Sequence, residues 1–394
     1  MQPSLETVID ILLAMVNAED LDWIDIEKSA NHICSRTIRA PINVPPFKRS
    51  KVDGYAISAE DLDKNVPLTL PKTKIIPAGE TKNYAIKAGT TIKLMTGALV
   101  PSGTGAIIKQ EEVEEHIDEI KTKTIPDYNA NIEFIGSSIK KEQIILNKGE
   151  KYNPLLIERI ANTGINELPI YSKPIVSIMN TGSELQLPGS SIAYGEIFNS
   201  NRSMFLNLLE LAACEGRANN RKIPDEIGII CTEIKTMLQK SDLLIITGGN
   251  SEGDFDLIDL ALDKIGAEKI VTGIEMRPGH KTLVASYNNK LIFNVSGNPR
   301  AGYILFNVLI KPILNKMKGA SNPLNNWFDI ELLNDIDKSV SIRTFSPGYL
   351  IQENEKLGAI VQRKSGANYG LAGMILDIAP NKGNKGDLVK ALLV

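Results

Sequence analysis

The sequence contains few of the residues that build metal sites and disulfide frameworks. Its three cysteines, Cys34, Cys214 and Cys231, are odd in number, widely spaced and include no CxxC pair. This spacing supports neither a structural zinc site nor a set of disulfides, and it is typical of buried thiols in a reducing compartment. With three histidines in 394 residues, the composition also excludes a histidine metal cluster.

The chain also lacks a charge excess and a membrane segment. Lys and Arg total 44 against 47 Asp and Glu, a net charge of -3, so composition gives no reason to expect a nucleic-acid partner. No apolar run approaches the roughly 20 residues that cross a bilayer. The acidic N-terminus lacks the basic region of a signal peptide. We therefore expect a cytoplasmic protein with no membrane or nucleic-acid partner, and the length predicts two or three domains.

Several catalytic motifs are missing as well. The sequence has no GxGxxG and no Walker P-loop, so a dinucleotide-binding or ATP-hydrolysing function is weakly supported. It has no GxSxG elbow either, which argues against a Ser–His–Asp hydrolase.

The sequence divides into zones that differ in their secondary-structure pattern. Residues 4–39 have helical periodicity, and short β-like runs from about residue 56 to 148 predict a small β module. From residue 172 to 320, strands alternate with helices of ten or more residues, which indicates a doubly wound parallel sheet. Short β-like runs return over residues 325–394. The sequence therefore predicts a multidomain α/β protein.

Two strand-to-helix turns are the strongest chemical signal. SDLLIITGGNSEGDFDLIDLAL places Gly248 and Gly249 after an apolar strand, and KLIFNVSGNPRAGYILF places Gly297 and Pro299 in the same position. Glycines permit tight turns that expose N–H groups, and a helix N-terminus adds partial positive charge. Because ligands dock at the carboxyl ends of parallel strands, we expect an anionic ligand here. Ordinary α/β loops are the alternative.

Charged residues stand near both turns. Glu252, Asp254 and Asp256 follow the first turn, and alternating carboxylates beside a phosphate cradle suit Mg²⁺. Alternatively, Asp254 caps the following helix.

A basic turn, RPGHK at residues 277–281, could bind an oxyanion together with Arg300 just beyond the second turn. Such a turn is also common as a solvated loop. Four glycine-containing polar segments are further candidates for ligand contacts: SKVDGYA (50–56), LMTGALVPSGTGA (94–106), NTGSEL (180–185) and GEIFNSNR (195–202).

These segments, in this order, resemble the molybdopterin molybdenumtransferase family, which includes MoeA and the E domain of gephyrin-type proteins. PPFKRSKVDGYAI is similar to the family's PPFxxSxMDGYA, and LMTGALVPSGTGAIIKQEEV to MTGAxxPxGADxVVxxE. IVSIMNTGSEL resembles VxxxSTGxEL, and GEIFNSN resembles GxIxDSN. LLIITGGNSEGDFD, EMRPGHKT and NVSGNPRA are similar to DxxxxxGGxSxGxxD, KPGKP and LPGNPVS.

The resemblance implies a fold and an activity. Family members take adenylylated molybdopterin, release AMP and insert molybdate at the dithiolene in a Mg²⁺-dependent step. They are elongated homodimers whose cleft lies between the α/β domain of one subunit and N- and C-terminal elements of its partner. Further implied partners are a MogA-type molybdopterin adenylyltransferase and molybdoenzymes or their chaperones.

The same resemblance implies the domain plan. A split N-terminal region, residues 1–171, holds an inserted β module at about 56–148. A MogA-like α/β domain that binds molybdopterin follows at 172–320, and a C-terminal β-barrel at 325–394.

Site residues carry over by position. The implied catalytic residues are Asp53, Thr96, Glu184 and Asp256, and the implied Mg²⁺ ligands are Asp256, Glu184 and, less directly, Asp225. The residues predicted to hold molybdopterin, its pyrophosphate and molybdate are Gly248, Gly249, Ser251, Arg277, Pro278, Gly279, Lys281, Gly297, Asn298, Pro299, Arg300, Arg343 and Ser365.

Some positions depart from the family pattern. An acid of the family's GED motif falls on Ser138, the Asp of PxGAD on Gly105 and the Asp of DSN on Asn199. Two functions therefore stay open: an active molybdenum insertase, and a catalytically impaired paralogue that binds molybdopterin as a carrier or scaffold. A third, an ATP-dependent adenylylating enzyme, is disfavoured by the missing P-loop and by the three-zone layout.

Overall fold

The protein is described by a computed structural model. Among the predicted site residues, Gly249, Ser251, Asp256 and Ser365 lie outside its described ranges. These ranges are 2–18, 21–64, 67–219, 222–248, 257–336, 341–353, 356–361 and 373–394.

The N-terminal region contains two helices and twelve strands. They are α1 (Leu5–Met15), β1 (Leu21–Asp25), β2 (Ile38–Arg39), β3 (Arg49–Ser50), β4 (Gly54–Ser58), β5 (Leu68–Ile76), β6 (Thr91–Leu94), β7 (Thr104–Lys109), β8 (Val113–Glu115), β9 (Glu119–Thr122), β10 (Ile132–Glu133), β11 (Ile144–Leu146), α2 (Pro154–Ala161) and β12 (Glu167–Tyr171), with 3-10 turns at Ile26–Lys28, Ala59–Asp61 and Gln110–Glu112.

Helix α1 begins where Ser4 caps it. The Ser4 hydroxyl accepts a hydrogen bond from the Thr7 N–H at 3.2 Å, which satisfies one of the free donors of the first turn. Its buried residues, among them Val8 and Leu12, pack into the core of the central α/β domain. This packing connects the N-terminus to the domain that carries the predicted ligand turns.

The helical prediction for residues 4–39 is wrong beyond Met15. Strand β1 pairs antiparallel with β12, so that Leu21 lies opposite Tyr171. Asn31 has a φ of 69°, which no α-helix accommodates. The apolar spacing alone could not reveal this, because the partner strand lies far along the chain.

The inserted region forms a six-stranded sheet in the order β7-β4-β6-β5-β9-β8. Small hydrophobic clusters cover it, including the fully buried side chains of Tyr55, Ile107 and Ile108. Strands β4 and β6 are neighbours, with Gly54 opposite Leu94. The segment just before Gly54 and the segment just after Leu94 therefore meet at one end of the sheet.

The central region contains the predicted α/β sheet. Its elements are β13 (Ile175–Asn180), β14 (Leu185–Gln186), β15 (Ile197–Phe198), α3 (Ser200–Leu211), β16 (Glu215–Ala218), α4 (Ile227–Leu238), β17 (Leu243–Thr247), α5 (Leu257–Ile265), β18 (Glu268–Thr272), β19 (Leu283–Tyr287), β20 (Lys290–Val295), α6 (Pro299–Leu305), a π-helical turn (Phe306–Ile310) and α7 (Lys311–Met317).

The sheet has the order β16-β13-β17-β20-β19-β18, in which the first four strands are parallel. One face packs against α1, α3, α6 and α7, and the other against α4 and α5. The doubly wound arrangement is thus confirmed. Strands β18 and β19 are an antiparallel edge that the alternation of strands and helices did not show. Asn288 and Asn289, with φ of 51° and 61°, form the two-residue turn that reverses the chain between β19 and β20.

The C-terminal region is a sheet of five strands in the order β21-β25-β24-β22-β23. Its two outer strands meet where Leu332 bridges Ala359, and the Leu333 N–H donates to the Ala359 carbonyl at 2.9 Å. The predicted C-terminal β-barrel is therefore confirmed. The strands are β21 (Phe328–Glu331), β22 (Thr344–Glu353), β23 (Lys356–Val361), β24 (Met374–Ile378) and β25 (Leu388–Leu393).

Among the helices of the described residues, none is long and apolar enough to cross a membrane.

Candidate functional site

Three neighbouring parallel strands end together at one edge of the central sheet. At this edge the Asn180 amide donates to the Thr247 hydroxyl at 2.5 Å and accepts a hydrogen bond from the Asn199 amide at 3.2 Å. The Thr181 N–H donates to the Thr247 carbonyl at 3.0 Å. These bonds join the ends of β13 and β17 to each other and to the residue that precedes α3.

Gly248 makes the first glycine turn possible. Its φ of 103° is disfavoured for residues with a side chain. A Cβ at this position would lie 2.5 Å from the Thr181 carbonyl oxygen and 2.7 Å from the Thr181 hydroxyl. The chain can therefore leave β17 in this direction only because residue 248 has no side chain.

The second glycine turn lies directly beside the first. A methyl group on Gly297 would lie 3.6 Å from the Cα of Gly248. The Gly297 carbonyl accepts a hydrogen bond from the Asn201 amide at 2.6 Å. Two segments that are separate in sequence thus form one surface at the carboxyl edge of the sheet.

The N-terminus of α6 opens onto the same surface. The Asn298 side chain caps the helix by accepting from the N–H groups of Arg300 at 2.9 Å and Ala301 at 3.4 Å. Pro299 occupies the first turn, where its missing N–H costs nothing. Gly297, Asn298 and Pro299 are all exposed, so a ligand can approach this end of the helix.

The basic turn at residues 277–281 is held by the C-terminal barrel. The Arg277 N–H donates to the Arg343 carbonyl at 2.9 Å, and the Phe345 N–H donates to the Arg277 carbonyl at 2.6 Å. The Arg277 and Lys281 side chains are exposed. Gly279 adopts a φ of 143° and packs so closely on Met276 that a Cβ would lie 2.8 Å from its side chain.

Strand β22 of the barrel also contacts the first turn of α6. The Arg300 guanidinium donates to the Ser346 hydroxyl at 3.0 Å. Ser346 belongs to no motif in the sequence, and only the docking of the barrel on the α/β edge brings it here. The barrel therefore touches both the basic turn and the start of α6.

Arg343, predicted to bind molybdate, has its guanidinium engaged by two carboxylates. It binds Asp377 in a bidentate pair at 2.9 and 2.7 Å, and its Nη1 donates to Glu6 at 2.6 Å. Burial acts to raise the pKa of Glu6, but the hydrogen bond and charge of Arg343 contribute to lowering the pKa below its usual value. In this structure Arg343 joins α1 to the barrel, and its backbone adjoins the basic turn.

Glu184 and Asp225, two predicted Mg²⁺ ligands, lie on adjacent segments. The Gly182 N–H donates to the Ile223 carbonyl at 3.5 Å. Both Glu184 carboxylate oxygens lie 2.7 Å from the position that a Cβ on Gly182 would occupy. Both acids are exposed. Among the described residues no three His, Cys, Asp or Glu side chains are grouped closely enough to hold a metal ion.

An ion pair that the sequence did not indicate joins the same segments. Lys222 donates to Glu196 at 2.6 Å and to the Ser183 carbonyl at 3.2 Å. The Ala193 N–H, Lys222 and Gln186 all hydrogen-bond to the Glu196 carboxylate, and together they lower its pKa to about 2.

Asp53 and Thr96 form a separate pair, just before β4 and just after β6. The Thr96 N–H and hydroxyl both donate to one carboxylate oxygen of Asp53, at 2.6 and 2.8 Å. These two hydrogen bonds are the main reason that the pKa of Asp53 lies below its usual value. No hydrogen bond or ion pair within the described ranges links either residue to the central sheet.

Two departures from the family pattern have a local explanation. At Gly105 a Cβ would lie 2.7 Å from the Cα of Ala59, so the backbone leaves no room for an aspartate. The Asn199 side chain caps α3 by accepting from the Arg202 N–H at 3.0 Å, while its amide donates to Asn180. Ser138 is exposed, and its N–H donates to the Val44 carbonyl at 3.0 Å.

Comparisons with known proteins agree with this architecture. Residues 3–164 match the family described as MoeA N-terminal region (domain I and II), and residues 177–316 match the probable molybdopterin binding domain. The chain is 30% identical over 346 residues to the molybdopterin molybdenumtransferase of Bacillus subtilis (strain 168), covering 86% of this chain and 80% of that protein. It is 32% identical over 318 residues to the protein of the same name from Staphylococcus aureus (strain COL), covering 80% and 75%.

A solved structure is similar over the whole length. The molybdopterin biosynthesis MoeA protein from Pyrococcus horikoshii OT3 superposes with a TM-score of 0.84 at 27% sequence identity, covering all of both chains. The structural similarity extends beyond the two matched family regions to the C-terminal barrel. The chain therefore belongs to the molybdopterin molybdenumtransferase family of transferases.

Proposed function

We propose that this protein acts in molybdenum cofactor biosynthesis and inserts molybdate into adenylylated molybdopterin with release of AMP. The observation that carries the proposal is the meeting of three elements at one sheet edge. These are the turn at Gly248, the turn before α6 and the basic turn that contains Arg277. Membership of a family whose relatives bear the name molybdopterin molybdenumtransferase supports the same reaction.

The chain's own residues would bind and orient two anions. The glycine turns and the start of α6 suit a pyrophosphate, because glycines leave the backbone open to a close approach and the helix N-terminus adds partial positive charge. The exposed Arg277 and Lys281 add full positive charge for phosphate or molybdate. Holding molybdate beside the dithiolene turns a bimolecular encounter into an oriented one, which supplies a large part of the rate.

Mg²⁺ fits the donors that this edge offers. Glu184 and Asp225 are exposed carboxylates on adjacent segments, and their side chains make no hydrogen bond within the described ranges. Mg²⁺ characteristically takes one or two carboxylates together with substrate phosphate oxygens. When bound, it would offset negative charge as AMP leaves. We propose Asp256 as a further ligand from its sequence position.

Asp53 and Thr96 are proposed to act on the site of a second copy in a homodimer. They bond to each other at the end of the β module and not to the central sheet of their own chain. We further propose that a MogA-type adenylyltransferase supplies the substrate and that molybdoenzymes or their chaperones receive the product.

The test is AMP release from adenylylated molybdopterin by the purified protein, with and without molybdate and Mg²⁺. We expect release that requires both. Arg277→Ala should lower the rate at least tenfold, because it removes a charge from the basic turn. Arg217→Ala, which removes the same charge from an exposed ion pair with Glu215 on the same domain, should leave the rate within twofold.

The departures at Gly105 and Ser138 favour a second candidate, a molybdopterin carrier or scaffold that does not turn over. Neither position offers the carboxylate that the family pattern has there. Tight binding of the substrate with no AMP release under any condition would establish this candidate and refute the insertase.

A further inference from the structure

A cavity lies at the opposite end of α3 from the two glycine turns. It has a volume of about 800 Å³, within the range typical of small-molecule sites. Helix α3 begins at Ser200 beside the ligand edge, and its last residue, Leu211, lines this cavity. Twelve helical residues at 1.5 Å each separate the two places by about 18 Å. The cavity is therefore distinct from the proposed catalytic edge.

Two regions of the fold build the walls of this cavity. The N-terminal region contributes Asn31, β11 and the turn that ends at Lys151, and the α/β domain contributes the end of α3 and one side of α7. The Ser321 N–H donates to the Gly149 carbonyl at 2.9 Å and ties the two walls together. The cavity is thus part of a bonded junction between these regions.

Three lysines line this cavity against one acid. Lys318 is nearly fully buried and donates to the Ala212 carbonyl at the end of α3, where a cation is favourable. The single acid, Glu150, accepts from the Asn147 N–H at 2.7 Å. The side-chain amines of Lys151 and Lys311 make no hydrogen bond or ion pair with any other described residue. Their charge is available to a ligand.

The position of Lys311 is costly without a counter-ion. Burial and then the positive charge of Lys151 lower the pKa of Lys311 below its usual value. Like charges held together at a partly buried site repel each other, and a bound anion removes that cost. The pair therefore selects for an anionic ligand.

Side-chain amides line the remainder of the wall. Asn31, Asn147, Asn322 and Asn326 line the cavity, and their amides make no hydrogen bond to other residues of the described ranges. Each amide offers a donor and an acceptor, which is the pattern that the edge of a polar heterocycle requires.

We propose that this cavity binds a small phosphate ester of a polar heterocycle, of the size of a nucleoside monophosphate. Lys151 and Lys311 hold the phosphate, and the asparagine amides contact the heterocycle. The site is separate from the insertase edge and does not depend on the function proposed for that edge.

The experiment titrates the full-length protein with AMP, inorganic phosphate and adenosine by calorimetry. We expect AMP to bind, phosphate to bind more weakly and adenosine not to bind. Lys311→Met and Lys151→Met should each weaken AMP binding at least tenfold, since a charge-assisted hydrogen bond to phosphate is lost. Lys316→Met, on the same helix but not in the cavity wall, should bind AMP as the wild type does.

Two further variants distinguish loss of AMP binding at this cavity from loss of the fold and from effects at the catalytic edge. Arg277→Ala should retain AMP binding here, because Arg277 lies on the other site. Lys311→Met should unfold no earlier than the wild type, because it replaces a half-buried charge by an apolar chain of similar length.

Three results would overturn the proposal. They are the absence of AMP binding up to millimolar concentration, wild-type affinity in the Lys151→Met/Lys311→Met double variant, and loss of all binding in Arg277→Ala. Burial of the cavity under a second copy of the chain would give the first of these results.

Discussion

Two glycines in adjacent ligand turns should respond in opposite ways to the same substitution. Gly248 has a φ of 103°, and a Cβ there would lie 2.5 Å from the Thr181 carbonyl oxygen. Gly297 has no such φ, and its nearest neighbour would be the Gly248 Cα at 3.6 Å, an ordinary contact. Alanine therefore strains the chain at residue 248 and fits at residue 297.

The magnitude follows from these two observations. A non-glycine residue in a disfavoured backbone region costs about 1–3 kcal/mol, and overpacking against a carbonyl adds about 1–3 kcal/mol. Gly248→Ala should therefore destabilise the α/β domain by roughly 2–6 kcal/mol in its free energy of unfolding. For Gly297→Ala we expect a change below about 1 kcal/mol.

Thermal unfolding of the full chain measures the difference. Each kcal/mol corresponds to about 2–4 °C in Tm for a domain of 150–250 residues, so Gly248→Ala should lower Tm by on the order of 10 °C. Trp327 packs against the core of the α/β domain and reports its unfolding by fluorescence. Equal Tm values for the two variants, within about 2 °C on that scale, would refute the reasoning.

The same two glycine variants distinguish an effect on stability from an effect on ligand binding. Gly297 is exposed at the start of α6, so a methyl group there occupies space that a phosphate would use. We expect Gly297→Ala to lower the rate of AMP release while its Tm stays at the wild-type value. Full activity in this variant would mean that the ligand does not approach Gly297.

Two other predictions concern carboxylates with defined partners. Thr96→Val should raise the pKa of Asp53, because one of the two hydrogen bonds that lower it is lost; an NMR titration in which the Asp53 pKa did not move would contradict the assignment. Asp377→Asn should destabilise the barrel by about 2–3 kcal/mol, because it leaves the half-buried Arg343 charge only partly paired. Glu6→Gln, which affects an exposed partner of the same arginine, should cost below about 1 kcal/mol. The pKa of Glu6 is lower in the folded state, so its contribution to stability is present above its unfolded pKa and is lost as pH falls through the folded pKa. Chemical denaturation from pH 7 to pH 3 measures this contribution as the difference in free energy of unfolding between the wild type and Glu6→Gln. We expect that difference to disappear at low pH.

The pattern of residues along the chain is sufficient to predict the central sheet and the position of its two glycine turns. The apolar runs before Gly248 and Gly297 are long, are followed by glycine, and are separated by helical patterns, which together allow few arrangements other than parallel strands. The order of short motifs along the chain carries the resemblance to the family, and that resemblance implied the C-terminal barrel.

Local sequence pattern does not predict a strand correctly where the partner strand is distant in sequence. Residues 21–25 continue the apolar spacing of α1, yet they form a strand because β12 offers a row of hydrogen-bond partners. The antiparallel edge of the central sheet depends on a two-residue turn at Asn288 and Asn289, whose positive φ values the alternation of strands and helices does not indicate.

The partners of the site's charged groups depend on how distant elements pack together. Arg343 carries the charge that the resemblance required, but Asp377 and Glu6, which come from two different regions, engage its guanidinium. Lys151 and Lys311 are unremarkable in the sequence, and they face one cavity only because α7 docks against the N-terminal region. Residue type sets which interactions a side chain can make, whereas the packing of distant elements sets which of them it does make.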